Sequence, residues 1–198
     1  RLAFHFGMTG SFLLSPSSTT LPAYTRAALH LNNGSVLFYT DVRKFGCIEL
    51  ITDSHAVVNK LGLEPLEGVF TADKFQEILR GRKSPIKPLL LNQHLIAGIG
   101  NMYADEALHL ASIHPLRAAG SLSALEVKNL HRAIQTVLRI AIDSKGATVS
   151  NYARPNGCSG NAQDKFKVAH RKGAECPCCK TIVERIVVGQ RGTYLCPS

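Results

Sequence analysis

The closing segment "CPCCKTIVERIVVGQRGTYLCPS", Cys176 to Ser198, constrains this chain more than any other stretch. Cys176 and Cys179 form a Cys-x-x-Cys knuckle, sixteen residues intervene, and Cys196 opens what reads as a second knuckle. Knuckles at the two ends of a β-hairpin are the pattern of a zinc ribbon, where thiolates close a tetrahedral Zn²⁺ site. The stretch between them is rich in β-branched residues, and Gly189-Gln-Arg-Gly192 is placed at the hairpin tip. Three ligand sets are open: three cysteines alone, a set that recruits Cys178, or four cysteines with the last beyond Ser198. Cys178 fits poorly, because one intervening residue cannot close a knuckle with Cys176. The favoured reading is a structural Zn²⁺ site on Cys176, Cys179 and Cys196, with a fourth cysteine expected just past Ser198. Three incidental cysteines are the bland alternative.

The other end is as abrupt. No initiator methionine precedes "RLAFHFGMTGSFLL", where Leu2, Phe4 and Phe6 alternate with Ala3 and His5 as in a strand, so material upstream of Arg1 is expected. The chain has 198 residues, enough for one domain with a sizeable core or two small ones. Its six cysteines, three of them within Cys176–Cys179, read as metal ligands rather than a disulfide framework. No signal peptide is visible, which argues against secretion, and no apolar run approaches the ~18 residues of a membrane span. Lys and Arg outnumber Asp and Glu by 23 to 14, a formal charge of +9. That balance suits a polyanionic partner, nucleic acid first, although many basic proteins bind none.

Residues 1–52 read as β structure, with Asn33-Gly34 a hairpin turn because both residues tolerate positive φ, and "FGCIELIT" as a further strand. "LGLEPLEGVFTADKF" looks like a connection between domains. Residues 71–143 read as helical. Thr71 caps a short helix, Ser84-Pro85 opens another with Pro85 as its first residue, and Ser123-Ala-Leu-Glu126 is a capping box. Leu125, Leu130, Ile134, Val137, Leu138, Ala141 and Ile142 form the apolar stripe of that last helix. In "LIAGIGNMYADEALHLASIHP" a Gly98-Ile-Gly100 turn runs into a helix with Asn101 at the N-cap. Such a turn presents backbone N–H groups to a phosphate, though a tight helix–helix turn would look the same. "HFGMTG" and "DVRKFG" set Met8, Arg43 and Phe45 beside glycines at strand ends, where a lone Met or Phe is ordinarily core.

Taken together, "HFGMTGSF", "YTDVRKFG", "LGLEPL", "PIKPLLLNQHLIAGIGNMYADEAL", "IHPLR" and "CPCCKTIVERIVVGQRGTYLCP" resemble, in order and spacing, the formamidopyrimidine-DNA glycosylase family. The resemblance covers nearly the whole chain. It implies an α+β fold: a partial antiparallel β-sandwich domain (1–63), a helical domain with a helix–two-turn–helix element (64–170), and a C-terminal β-hairpin zinc finger (171–198). It also implies base-excision repair, in which an oxidised base such as 8-oxoguanine or a formamidopyrimidine is flipped from duplex DNA and removed, with lyase cleavage of the abasic site. The implied partner is double-stranded DNA carrying oxidised bases or abasic sites, with no membrane, a monomeric protein, and an intracellular, DNA-associated setting.

Carried over residue by residue, Lys87, Asn101 and Arg191 match phosphate contacts, and Arg191 also matches a proton donor in δ-elimination. Met8, Arg43 and Phe45 match the residues that enter the helix when the base leaves: Met and Phe replace lost stacking, and Arg donates to the orphaned partner base. Tyr24, standing where the family usually has His, and Arg82 fall near further DNA contacts, and residues 154–165 resemble the loop that folds over the extruded base. The family's nucleophile is an N-terminal proline, accompanied by a glutamate and a lysine. None has a counterpart in these 198 residues, and Pro16, Pro22 and Glu49 are not stand-ins. Two readings follow: part of a bifunctional glycosylase/lyase cut at both ends, which is favoured, or a non-catalytic, zinc-stabilised binder of damaged DNA.

Overall fold

A computed structural model describes residues 1–16, 20–52, 60–149 and 153–198. Within them the elements run β1 (Leu2–His5), β2 (Gly10–Ser15), β3 (Thr25–His30), β4 (Val36–Asp41), β5 (Cys47–Leu50), α1 (Ala72–Leu79), α2 (Ile86–Leu90), α3 (Asn101–Leu110), α4 (Ala124–Asp143), β6 (Glu184–Val188) and β7 (Arg191–Leu195). The α+β class expected from the sequence is what forms, with antiparallel sheets, helices and a C-terminal hairpin. The chain divides into two compact units: Arg1–Ala56 with Ser144–Gln163, and Val57–Asp143 with Asp164–Ser198.

The first unit holds a two-stranded sheet, β1-β5, and a three-stranded sheet, β2-β4-β3. Central strand β4 is the most buried, with Val36, Phe38 and Tyr39 facing inward. Phe4 of the first sheet and Phe6, just beyond β1, meet Phe12 of the second edge-on, with ring centroids 4.8 and 5.0 Å apart, so aromatic contacts join the sheets. The Asn33-Gly34 turn links β3 to β4 as expected: Gly34 takes φ +81°, and the Asn33 side chain accepts from the Ser35 N–H and hydroxyl. Strand β2 lies at the sheet edge, where the Leu14 N–H donates to the Pro155 carbonyl. The later segment is itself pinned, as Gly160 N–H donates to the Thr148 hydroxyl and Thr148 N–H to the Gln163 side chain.

The second unit is built on one apolar core, including Phe70, Phe75, Leu90, Ile96, Leu108, Leu130 and Ile134. The stretch from Leu61 to Thr71, read as a connection, packs into that core: Leu63 pairs with Ile96, and Phe70 is buried and stacked on His131. Thr71 caps α1 by accepting from the Lys74 N–H. Pro85 is the N-cap of α2 rather than its first helical residue as expected; the helix starts at Ile86, whose N–H goes to the Arg117 carbonyl. The capping box of α4 forms in both directions, Glu126 accepting from the Ser123 N–H at 2.7 Å and Ser123 from the Glu126 N–H at 3.3 Å. Its buried face is Val127, Leu130, Ala133, Ile134, Leu138 and Ala141. Leu125 and Ile142 do not join it, being 67% and 58% exposed. At ~100° per residue Leu125 lies roughly half a turn round the helix from Ile134, and Ile142 about 80° from it. No helix among the described residues is long and apolar enough to cross a membrane.

Candidate nucleic-acid interface and metal centre

In the first unit the structure brings Met8, Arg43 and Phe45 together. Asp41, buried at the end of β4, accepts from the Thr9 hydroxyl at 2.5 Å, the Gly46 N–H at 2.8 Å and the Arg43 N–H at 3.2 Å. The Thr9 hydroxyl also accepts from the Arg43 N–H. These bonds, the Thr9 hydroxyl foremost and then the Gly46 N–H, hold the Asp41 carboxyl below its ordinary value. One carboxylate therefore fixes both loops. The backbones touch at Gly7, where φ is +58° and a Cβ would lie 2.9 Å from the Phe45 carbonyl carbon. On this base Met8 and Phe45 stand 70% and 59% exposed. The Arg43 guanidinium lies over the Phe45 ring at 4.6 Å, and its Nη1 is 3.0 Å from the Met8 sulfur. An exposed Met and Phe at strand ends are a cost unless used, which sets them apart from the core side chains they were weighed against. Tyr24 is exposed with φ +62°, and the exposed Arg82 donates from Nε to the Ile78 carbonyl.

In the second unit Asn101 is the first residue of α3, and Gly100 holds the N-cap with no side-chain cap. The expected Asn101 side-chain cap is therefore absent. The Asn101 amide Nδ2 donates instead to the Gly192 carbonyl at 2.9 Å. Lys87 reaches the same carbonyl at 3.1 Å, together with the Thr193 hydroxyl at 2.7 Å and Asp105 Oδ1 at 2.7 Å. The Lys87 ammonium is wholly buried and spends its three hydrogens on protein, so it does not face a phosphate directly as the resemblance implies. Burial raises the Asp105 carboxyl and lowers Lys87, and Arg191 nearby lowers Lys87 further. Asp105 also accepts from the Tyr194 N–H, so β7 is held at three successive residues.

The hairpin is tight: Val188 pairs with Arg191, and both turn residues, Gly189 and Gln190, have positive φ. A Cβ on Gly189 would lie 2.9 Å from Pro88 of α2, so the tip rests on that helix. The exposed Arg191 leaves the turn one residue before the anchored Gly192. Asp105 and Thr193 were not singled out from the sequence, where nothing marks them as partners of Lys87.

The sulfur atoms of Cys176, Cys179 and Cys196 all lie within 4.8 Å of one another. Cys179 and Cys196 lie 3.3 Å apart; the Thr181 hydroxyl and N–H lower the Cys179 thiol to about 6, while burial pushes Cys196 up to about 11. A soft, borderline d¹⁰ cation fits a thiolate set of this kind, and Zn²⁺ is the ion such knuckles take. When bound, it would cross-link Cys176–Cys179 to the end of β7 and contribute directly to folding.

Helical, hairpin-finger and strand parts of this kind define a class of zinc-bearing nucleic-acid enzymes, and comparison with known proteins narrows the class. The formamidopyrimidine-DNA glycosylase H2TH domain model matches residues 61–153, the N-terminal domain model of the same family residues 1–48, and the zinc finger found in FPG and IleRS residues 173–198. The formamidopyrimidine-DNA glycosylase of Roseiflexus sp. (strain RS-1) is 46% identical over 99% of this chain and 72% of its own length. That of Chloroflexus aurantiacus is 44% identical over 100% and 72%. The crystal structure of MutM (Fpg) from Thermus thermophilus superposes with a TM-score of 0.89 at 42% identity, over 99% of this chain and 74% of that one. Lactococcus lactis Fpg in complex with an abasic-site DNA gives a TM-score of 0.90 at 33% identity, over 99% and 73%. The chain belongs to the formamidopyrimidine-DNA glycosylase family.

Proposed function

We propose that this protein works in base-excision repair, recognising oxidised bases such as 8-oxoguanine and formamidopyrimidines in duplex DNA and, as a glycosylase and AP lyase, removing them and cutting the strand. Its setting is then intracellular and DNA-associated. The observation that carries the reading is the Gly192 carbonyl, which takes hydrogen bonds from both Asn101 and Lys87 and so holds Arg191, the adjacent residue, near the N-terminus of α3. An Arg guanidinium beside a helix N-terminus suits consecutive phosphates of a strand. Lys87 acts in this arrangement as a positioning residue. Met8 and Phe45 fill the space of an extruded base, and Arg43 donates to the base left behind. Tyr24 and Arg82 are further candidate contacts at the rim.

The test is incision of a duplex carrying a single 8-oxoguanine, with borohydride present to trap an imine between enzyme and sugar. Base release and a trapped adduct are the expected results; damage-selective binding without an adduct would support the binding-only reading instead. Arg191→Ala is expected to weaken binding and to lower the slope of log K against log salt by about one unit. An unchanged slope would remove Arg191 from the phosphate contacts. Phe45→Ala and Met8→Ala are expected to reduce affinity for damaged duplex more than for undamaged duplex, as titrations by fluorescence anisotropy would show. Equal losses on both would contradict the stacking role.

A further inference from the structure

Cys178 has no place in the Cys176–Cys179–Cys196 set, yet it is not isolated. Its sulfur lies 4.0 Å from Nε2 of His109, which is itself 3.9 Å from the Cys176 sulfur. His109, Cys176 and Cys178 thus present three ligand atoms within 4.8 Å of one another, a second group meeting the first at Cys176. Around a tetrahedral ion with Zn–S ~2.3 Å and Zn–N ~2.0 Å, sulfur and nitrogen ligands sit roughly 3.5 Å apart. The observed spacings exceed that by about half an ångström, a contraction small enough for side chains to make.

His109 belongs to the last turn of α3 and is half-buried, whereas Cys178 is exposed, so an ion would have a way in from solvent. We propose that His109, Cys176 and Cys178 form a second seat for a zinc-class d¹⁰ ion, sharing the Cys176 thiolate with the ion of the finger. A thiolate has more than one lone pair and can donate to two cations at once. Thiolate with imidazole is the donor set such ions prefer. Of the charged groups facing His109, the Glu106 carboxylate favours a cation and the Lys167 ammonium opposes it. An ion in this seat ties the finger loop to the helix whose other end carries Asn101.

The experiment is a titration of the metal-free, reduced protein with ¹¹³Cd²⁺ under anaerobic conditions, read by ¹¹³Cd NMR and by metal content. The wild type is expected to take two equivalents and give two resonances. Cys178→Ser and His109→Gln are each expected to lose one equivalent and keep the finger resonance. A single equivalent in the wild type overturns the proposal, including a single ion whose resonance moves in His109→Gln. So does a second equivalent that survives in both variants, or the loss of both equivalents in Cys178→Ser, whose exposed side chain the finger does not need.

Discussion

Lys87→Met is expected to destabilise the unit that contains α3 and the hairpin by about 3–5 kcal/mol, the usual cost of removing one partner from a buried ion pair. The side chain it removes is entirely buried and satisfies Asp105, Thr193 and the Gly192 carbonyl. Asp105 would be left charged in a site whose burial already raises its carboxyl, with only the Tyr194 N–H to hold it. Denaturant unfolding monitored at several probes measures the loss. Because burial disfavours both charges, Lys87→Met with Asp105→Leu is expected to recover much of it, an apolar pair standing in for an ionic one. Binding separates the two roles: the double variant should remain folded yet bind damaged duplex less tightly, because Gly192 has lost one of its two anchors. Full affinity in that folded double variant would show that Lys87 does not position Arg191.

The second large effect is expected at Glu106. Its carboxylate is buried and accepts from three successive backbone N–H groups, those of Lys167, Val168 and Ala169, at 2.8 to 3.0 Å. Val168 and Ala169 are themselves buried, so in Glu106→Ala these donors would lose their acceptor with little access to water. At ~1–3 kcal/mol per stranded donor the variant should lose roughly 3 kcal/mol or more. Helix propensity cannot explain such a loss, since Ala is the best helix former. Glu106→Gln, which keeps one acceptor oxygen, should lose less. Hydrogen exchange at Lys167–Ala169 reads the effect locally, and unchanged protection there in Glu106→Ala would show that the carboxylate does not hold this segment. Because residues 167–169 lead into the finger, the metal affinity of Cys176 and Cys179 should fall in step.

These two sites mark where sequence reading runs out. Local signals were legible because their partners are near in the chain: the Ser123–Glu126 box, the Thr71 cap and the Asn33-Gly34 turn all formed. The finger ligands were legible from knuckle spacing, and the Met8, Arg43 and Phe45 group only through resemblance, since nothing in their spacing reveals that Asp41 and Thr9 gather them. Asn101 was placed one position early because Gly100 and Asn101 are both good N-caps, and the choice turned on Gly192, far along the chain. Lys87 enters only as a phosphate contact implied by the resemblance, and its partners Asp105 and Thr193, distant in sequence, are invisible to spacing. The periodicity places Leu125 and Ile142 in the α4 stripe, whereas the buried face is set by Leu130, Ile134 and their neighbours.

The bond from Leu14 to Pro155 bears on how the protein is made. Leu14 of β2 is translated about 140 positions before Pro155, an interval on the order of 10 s at ordinary elongation rates. During that interval helices α1 to α4 are synthesised while the Leu14 N–H waits for its Pro155 partner, and an unsatisfied strand N–H is open to pairing with another nascent chain. Slower translation between α4 and Pro155 would lengthen the exposure, and the yield of folded protein should therefore respond to synonymous codon changes there.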